Sequence, residues 1–220
     1  MLLCLQNQAE FKIVCRMNQS LESALNFHDD LGALNPHLAP IIDEAKTHGG
    51  RIYLRSVEPH DRQKIVRLAR SSIALHHPWI ETPTSSSLFN QYLDRIKGRN
   101  ATGMVVCFKH NDEIVGVLNL NEIVLGAFRS ARVSYYVSHE HQGRGLMTEG
   151  LNLFTSEAFT SQGLHRIEAA IQPKNIPSKR LVKRCGFHYE GLAKGYLYID
   201  GKWRDHERWA LVHDRDTIGV

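Results

Sequence analysis

The sequence lacks three features that would each indicate a class of protein. No apolar run approaches the roughly 20 residues of a membrane-spanning helix, and the opening "MLLCL" has no basic leader. The four cysteines form no C-x-x-C pair, which argues against a disulfide framework or a zinc cluster. Lysine and arginine form no block as dense as a nucleic-acid-binding arm. We therefore expect a cytoplasmic protein with no membrane, metal or direct nucleic-acid partner.

Length and composition predict one folded domain of modest positive charge. The chain has 220 residues, 42% hydrophobic and 23% charged, which is typical of a globular protein with one sizeable core. A small anionic ligand would be enough to explain the net charge of +4. We expect a single domain over residues 49–215. An appended helical segment of unknown function is expected over residues 1–48, with Met1 or Met17 as the true start.

Strand and helix patterns alternate from residue 50 onward. Two β-type runs around a polar turn in "GMVVCFKHNDEIVGVLNLNEIVLG" predict a hairpin, and Asp200 with Gly201 predicts another near the end of the chain. Further strands are predicted at "RIYLRSV", "SARVSYYV" and "HRIEAAIQ". Helices are predicted at "EPHDRQKIVRLARSSIAL", at "SSSLFNQYLDRIKG", after the turn "HQGRGLM", and over residues 177–185. The pattern predicts an α/β fold of the α+β type.

The turn "HQGRGLM" lies between a strand and a helix, as phosphate-binding turns do. A dinucleotide fingerprint is excluded because Thr148 stands where G-x-G-x-x-G requires its third glycine after Gly143 and Gly145. A Walker-type loop is excluded because no lysine follows these glycines. Backbone N–H groups at a helix N-terminus still bind anions, and glycine lets a ligand approach closely. Taken alone, the turn is either such an anion site or a purely structural turn.

Several segments together resemble the Gcn5-related N-acetyltransferases, or GNAT superfamily. The strand "RVSYYV", the turn "HQGRGLM", the strand "IEAAIQP" and the segment "KNIPSKRLVKRCGFHYEG" match it in order and spacing. "RIYLRSV", "EIVGVLNLNEIV" and "GYLYIDGKWRDH" resemble the Rim-type branch, which acetylates N-terminal amines of ribosomal proteins. The resemblance covers residues 50 to about 213. It implies a GNAT fold, in which helices flank a mixed, mostly antiparallel sheet of about seven strands that splays at its centre.

The resemblance also implies acetyl-CoA as cosubstrate and the residues that hold it. Backbone N–H groups of the turn would bind the pyrophosphate, although Glu140 replaces the family's usual Gln or Arg at the start of this loop. Main-chain groups of the preceding strand would pair with the pantetheine arm and polarise the thioester carbonyl. The implied cofactor-binding residues are Tyr136, Val137, Gln142, Gly143, Arg144, Gly145, Leu146, Met147 and Asn175. Simple strand packing is the alternative for Tyr136 and its neighbour Tyr135.

The resemblance assigns fewer catalytic residues. It implies Ser178 as the general acid that protonates the departing thiolate, whereas a purely structural reading has Asn175 cap a helix and Ser178 satisfy its first turn. Glu122, at a strand end, is our candidate base. Trp79 is our candidate for the acceptor pocket, with packing in the core as its alternative. An α-amine, with a pKa near 7.7–8.0, is already partly neutral at pH 7 and needs only a weak base.

Three other groups are given no catalytic role. Asp205 and His206 would fall on opposite faces of a terminal strand, which argues against a shared acid–base role. The sequence "HEH" at residues 139–141 is not H-E-x-x-H, so no metal is expected. Cys185 is expected to pack beside apolar neighbours.

The sequence leads to three hypotheses about function. The first is an acetyltransferase acting on a protein N-terminal α-amine, such as that of a ribosomal protein, with a homodimer as one assembly to test. The second is an acetyltransferase for a small amine such as an antibiotic, a polyamine or an amino acid derivative. The third is a noncatalytic acyl-CoA-binding sensor.

Overall fold

The computed structural model describes residues 50–213, so the expected appended segment over residues 1–48 lies outside the described residues. The strands are β1 (Ile52–Ser56), β2 (Thr102–Phe108), β3 (Ile114–Val124), β4 (Ser130–Val137), β5 (Arg166–Ile171), β6 (His188–Ile199) and β7 (Lys202–Val212). The α-helices are α1 (Arg62–Ser71), α2 (Ile73–His76), α3 (Ser86–Ile96), α4 (Leu146–Thr160) and α5 (Ile176–Arg184). Short 3-10 helices span Pro59–Asp61 and His139–His141. No helix in this part of the chain is long and apolar enough to cross a membrane.

The seven strands form one sheet in the order β1-β2-β3-β4-β5-β7-β6. Every neighbouring pair is antiparallel except β4 and β5, which are parallel. Parallel pairing joins only Ser130–Arg132 to Arg166–Glu168, and beyond these residues the two strands are unpaired with each other. The predicted mixed, mostly antiparallel sheet with splayed central strands is confirmed.

Apolar side chains pack on both faces of the sheet. One face packs against α4 and α5, and the apolar face of α4 is buried there. The other face packs against α1 and α3, with Tyr136 of β4 in the same cluster. Burial of each large apolar side chain contributes about 1.5–3 kcal/mol, so these clusters hold β4 from both sides and β5 from the side of α4 and α5.

The segment predicted as one long helix after Pro59 is interrupted at Ser72. Ser72 has φ −114° and ψ 13°, and its N–H donates to the Ala69 carbonyl in a tight terminal turn. The buried Ser72 hydroxyl accepts a hydrogen bond of 3.0 Å from the N–H of His139. This long-range bond offsets the lost helical geometry, and it ties the helix break to the segment that precedes the glycine turn.

A buried ion pair fixes the start of α1. Two nitrogens of Arg55 each lie 2.7 Å from an oxygen of Asp61, whose side chain is fully buried. The Asp61 carboxylate also accepts from the N–H of Glu58 at 2.9 Å. Burial alone would raise the pKa of Asp61, but the bonds from Arg55 and from the Glu58 N–H hold it below its usual value.

Candidate active site

A cavity of about 1170 Å³ occupies the gap where β4 and β5 diverge. Its wall includes the ends of both strands, the glycine turn, the first turns of α4 and α5, and the β6–β7 hairpin. A cavity at the place where a sheet opens exposes strand main chain that would otherwise be paired. This is the geometry that a linear thioester cofactor requires.

Strand alternation determines which main-chain groups of β4 face the cavity. The N–H of Ser138 donates to the Val115 carbonyl on β3 at 2.8 Å, so the main-chain groups of Val137, one residue earlier, are directed away from β3 and into the gap. Those of Tyr136 are directed to β3, where its register partner is Val117. Of the two predicted strand contacts, Val137 therefore offers its N–H to the cavity, whereas Tyr136 directs its main chain to β3 and packs its side chain in the cluster with α1 and α3.

The glycine turn presents unobstructed backbone to the cavity. Gly143 and Gly145 have φ of 74° and 78°, a region that favours glycine. A Cβ added at Gly143 would meet no atom within 4 Å, so a ligand has room to approach the main chain. Of the predicted turn residues, Gln142, Gly143, Gly145, Leu146 and Met147 line the cavity. The sixth, Arg144, is exposed and lies outside the lining.

Two hydroxyl groups meet on the side of the cavity formed by α5. The Ser178 Oγ lies 2.5 Å from the Tyr135 hydroxyl, while the N–H of Ser178 donates to the Asn175 Oδ1 at 3.2 Å. Asn175 is thus the helix cap that the sequence predicts, and the Ser178 hydroxyl is left to pair with Tyr135. Burial raises the pKa of Tyr135, and the hydrogen bond with Ser178 lowers it in part. Together the two hydroxyls form a hydrogen-bonded pair at the cavity wall.

The opposite wall holds a buried histidine and the predicted Trp79. The His76 Nε2–H donates to the Val137 carbonyl at 2.9 Å, which fixes the end of β4. Burial lowers the pKa of His76, so this imidazole is neutral at pH 7. Trp79, the candidate for the acceptor pocket, lines the cavity beside it. Gln172 donates to the Pro78 carbonyl at 3.0 Å and holds this segment to the end of β5.

Comparison with known proteins identifies this architecture. Residues 51–188 match the family model described as acetyltransferase (GNAT) domain. The chain belongs to the GNAT family. The GNAT domain is therefore an N-acetyltransferase, and the predicted resemblance is confirmed.

Individual relatives of this GNAT domain differ in their acceptors. The [ribosomal protein uS5]-alanine N-acetyltransferase of Escherichia coli is 43% identical over 107 residues, which are 49% of this chain and 55% of that enzyme. The chain thus spans about half the length of that relative. The spermidine N(1)-acetyltransferase of Vibrio cholerae is 26% identical over 170 residues, 75% of this chain and 95% of that enzyme. The solved structure of Mycobacterium smegmatis RimJ in complex with CoA-disulfide has a TM-score of 0.69 and 28% identity, covering 77% of this chain and 84% of that one.

The candidate base Glu122 does not reach the cavity of the GNAT domain. It has φ 53° in an irregular stretch of β3, where pairing with β4 skips from Asn121 to Val124. Its side chain is 61% exposed and pairs with Arg132 at 3.0 Å. Its position at a strand end predicts a base that faces the acceptor, but the irregularity turns the carboxylate outward, outside the cavity lining.

Two other sequence predictions concern ionisable groups. Asp205 binds Lys194 at 2.8 Å on the surface, while His206 is buried and lines the cavity, so the predicted separation of this pair is confirmed. Ligand atoms of Glu113, Glu140 and His141 gather within 4.8 Å of one another. Both carboxylates are exposed there, and the Nε2 of the buried His141 lies 2.9 Å from the Glu113 carboxylate.

The sequence predicts the helices and strands of the site but not the side-chain contacts between residues that are far apart along the chain. Tyr135 was assigned no proton-transfer role, because its contact with Ser178 joins residues 43 positions apart. The sequence does not predict His76 as a site residue, since a lone histidine in a helical segment carries no signal of its own. Only its reach to the Val137 carbonyl shows that it belongs to the site.

Proposed function

We propose that this GNAT domain transfers the acetyl group of acetyl-CoA to the N-terminal α-amine of a protein, with ribosomal proteins as the first acceptors to test. The observation that carries the proposal is the 43% identity to the uS5-alanine enzyme. The arrangement of the cavity supports it, because a proton donor and free strand main chain lie in one gap.

The proposed cofactor site uses backbone more than side chains. The N–H groups of residues 142–147 would hold the pyrophosphate, since they open α4 and are not blocked by side chains. The Val137 N–H would polarise the thioester carbonyl, because the Val137 carbonyl is already taken by His76. Arg180 and Arg184 of α5 line the same cavity and would add positive charge near the phosphates.

The charges of the cavity favour a single α-amine over a polyamine. Two carboxylates belong to the described lining, Glu81 and Glu149. Glu149 is already engaged by the backbone N–H of Arg51 at 2.6 Å and by the Arg51 side chain at 3.3 Å. Arg132 lines the acceptor side and is already paired with Glu122 at 3.0 Å, so this ion pair offers a polycation no free carboxylate. An α-amine, partly neutral at pH 7, needs no dedicated carboxylate.

The proposed reaction is a direct transfer in a ternary complex. The neutral amine attacks the thioester carbonyl, the N–C bond forms, and the oxyanion is stabilised by the Val137 N–H. The C–S bond then breaks, and the thiolate takes a proton from the Ser178 hydroxyl, which recovers one through Tyr135. Holding both substrates in one cavity supplies most of the acceleration through proximity and orientation.

The test is CoA release with peptides that separate the two kinds of amine. One peptide begins with a free Ala and carries Arg in place of every Lys, and its matched control has an acetylated N-terminus and an internal Lys. We expect turnover of the first, with a mass gain of one acetyl group, and none of the second. Turnover of the control alone would overturn the N-terminal assignment.

The same experiment also tests small amines as acceptors. The V. cholerae spermidine enzyme matches 75% of this chain, so spermidine is included with lysine and an aminoglycoside. A higher kcat/KM for spermidine than for any peptide would make the protein a small-amine acetyltransferase. Tight acetyl-CoA binding without turnover of any amine would favour the acyl-CoA sensor.

A further inference from the structure

We infer that His206 is the group that takes the proton from the attacking amine, an inference that rests on the proposed acetyl transfer. Glu122 is not placed to accept this proton, since its carboxylate points away from the cavity. His206 is 2% exposed and lines the cavity from β7. Three independent observations support its assignment: the face it occupies, its tautomer and its separation from carboxylates.

The register of β7 places His206 on the acceptor face of the sheet. Glu207 pairs with Ile171 in the register, and its carboxylate binds Lys179 of α5 at 2.9 Å. Glu207 is therefore on the face of α5, where the Ser178 proton donor lies, and its neighbour His206 points to the other face. An amine that attacks from the His206 side would thus be opposite the departing thiolate.

Hydrogen bonding fixes which nitrogen of His206 is available. Its Nδ1 lies 3.0 Å from the Arg204 carbonyl, and because a carbonyl only accepts, Nδ1 carries the proton. In the neutral ring Nε2 therefore has the free lone pair, and it has no hydrogen-bond partner within residues 50–213. The bond from Nδ1 holds the ring in position, and Nε2 is left as a basic nitrogen that is free to accept a proton.

The surroundings keep this ring neutral. Burial lowers the pKa of His206, the Arg204 carbonyl and the Asp205 charge raise it by smaller amounts, and the charge of Arg132 on β4 lowers it by the smallest amount. The ring of Tyr196 on β6 lies 6.1 Å away. Asp205 itself binds Lys194 and the N–H of Gly195, so it does not form a charge pair with the imidazole. His206 is thus in its basic form throughout the physiological range.

The proton balance of the step is simple. As the N–C bond forms, the amine nitrogen becomes cationic and far more acidic than a free ammonium, so a weak base suffices. The His206 Nε2 accepts that proton, directly or through one water, and later releases it to solvent. The thiolate is protonated separately from the Ser178–Tyr135 pair on the opposite face. The sum is amine plus acetyl-CoA giving amide plus free CoA.

The test compares His206→Asn with Asp205→Asn. The Asn amide can still donate to the Arg204 carbonyl but offers no group at the position of Nε2. We expect kcat for the best acceptor to fall about 10²–10⁴-fold with an unchanged acetyl-CoA Kd. Wild-type kcat should also fall below a pH at which His206 protonates, and His206→Asn should lack this limb. Asp205→Asn should retain the wild-type kcat, and its acid limb should move slightly to lower pH, because the Asp205 charge raises the pKa of His206.

The remaining outcomes would count against the role of His206 or against the proposed acceptor. A kcat within threefold of wild type, or an unaltered acid limb, would overturn the role of His206. Loss of acetyl-CoA binding in both His206→Asn and His206→Gln would make the residue structural and also overturn it. If wild type turns over only a small amine, the N-terminal acceptor fails and the same comparison is made with that amine. If wild type turns over none, both proposals fall.

Discussion

Replacing Ser178 by Ala separates a catalytic hydroxyl from a structural one. In the free protein the Ser178 Oγ lies 2.5 Å from the Tyr135 hydroxyl, and among residues 50–213 the other acceptor for that hydroxyl is the Ser178 carbonyl, at 3.5 Å. A lost buried partner costs about 1–3 kcal/mol. Because Tyr135 is half-buried and borders the cavity, water can replace the lost partner, and we expect about 1 kcal/mol in the free energy of unfolding.

The expected kinetic effect of Ser178→Ala is larger than this. A positioned proton donor contributes about 10²–10⁴-fold, which is roughly 3–5 kcal/mol of transition-state stabilisation. The helix cap is unaffected, since Asn175 accepts from the backbone N–H of residue 178 and not from its side chain. The acetyl-CoA Kd should therefore stay within about twofold of wild type.

The assay is kcat at saturating acetyl-CoA with an Ala-starting peptide, beside acetyl-CoA affinity by calorimetry and unfolding by denaturant. The Tyr135→Phe variant and the variant with both Ser178→Ala and Tyr135→Phe complete a double-mutant cycle. If the two hydroxyls act as one chain, the double variant should be no slower than Ser178→Ala alone. A Ser178→Ala enzyme that keeps kcat within threefold and loses only stability would refute the proton-donor role.

Two further predictions concern the cofactor site and the fold. Gly143→Asp should abolish acetyl-CoA binding by calorimetry, because it aims a carboxylate at the proposed pyrophosphate site. Gly126→Asp, with a similar φ of 69° and equally open surroundings, should not, and equal affinities would move the site elsewhere. Asp61→Asn should lower the free energy of unfolding at pH 7 by about 3–5 kcal/mol, since it leaves Arg55 buried without its counter-charge. The folded-state pKa of Asp61 is lowered, so the contribution of the pair is present above the unfolded pKa near 3.9 and is lost as pH falls through the folded pKa. The variant and wild type should converge in acid, and Asp205→Asn at the surface should match wild type throughout.

Local signals in the sequence were enough to predict most of the elements. Glycine at positions 143 and 145 predicted the turn because its positive φ is needed there, and Asn175 predicted the helix start because its side chain can accept from the N–H of residue 178. Alternation also predicted correctly that Asp205 and His206 face opposite ways. Each of these depends on chemistry within a few residues.

The predictions that needed correction depend on contacts between distant residues. Glu122 has a positive φ where β3 loses its regular register, and nothing in "VLNLNEIV" indicates that irregularity. The interruption at Ser72 is compensated by a bond to residue 139, far along the chain. The divergence of β4 and β5 was expected from family resemblance alone, because splaying is decided by packing on both faces of the sheet.

The strand order has a consequence for synthesis. β7 lies between β5 and β6 although it follows both along the chain. A nascent chain therefore carries β5 with an open edge until residues 202–212 have been made and have paired with it, a long-range step that folds slowly. The glycine turn and Ser178 lie on earlier segments, whereas His206 arrives with this strand. The residues of the proposed cofactor site are therefore made before the proposed proton acceptor, although α5 gains the ion pair between Lys179 and Glu207 only once β7 has formed.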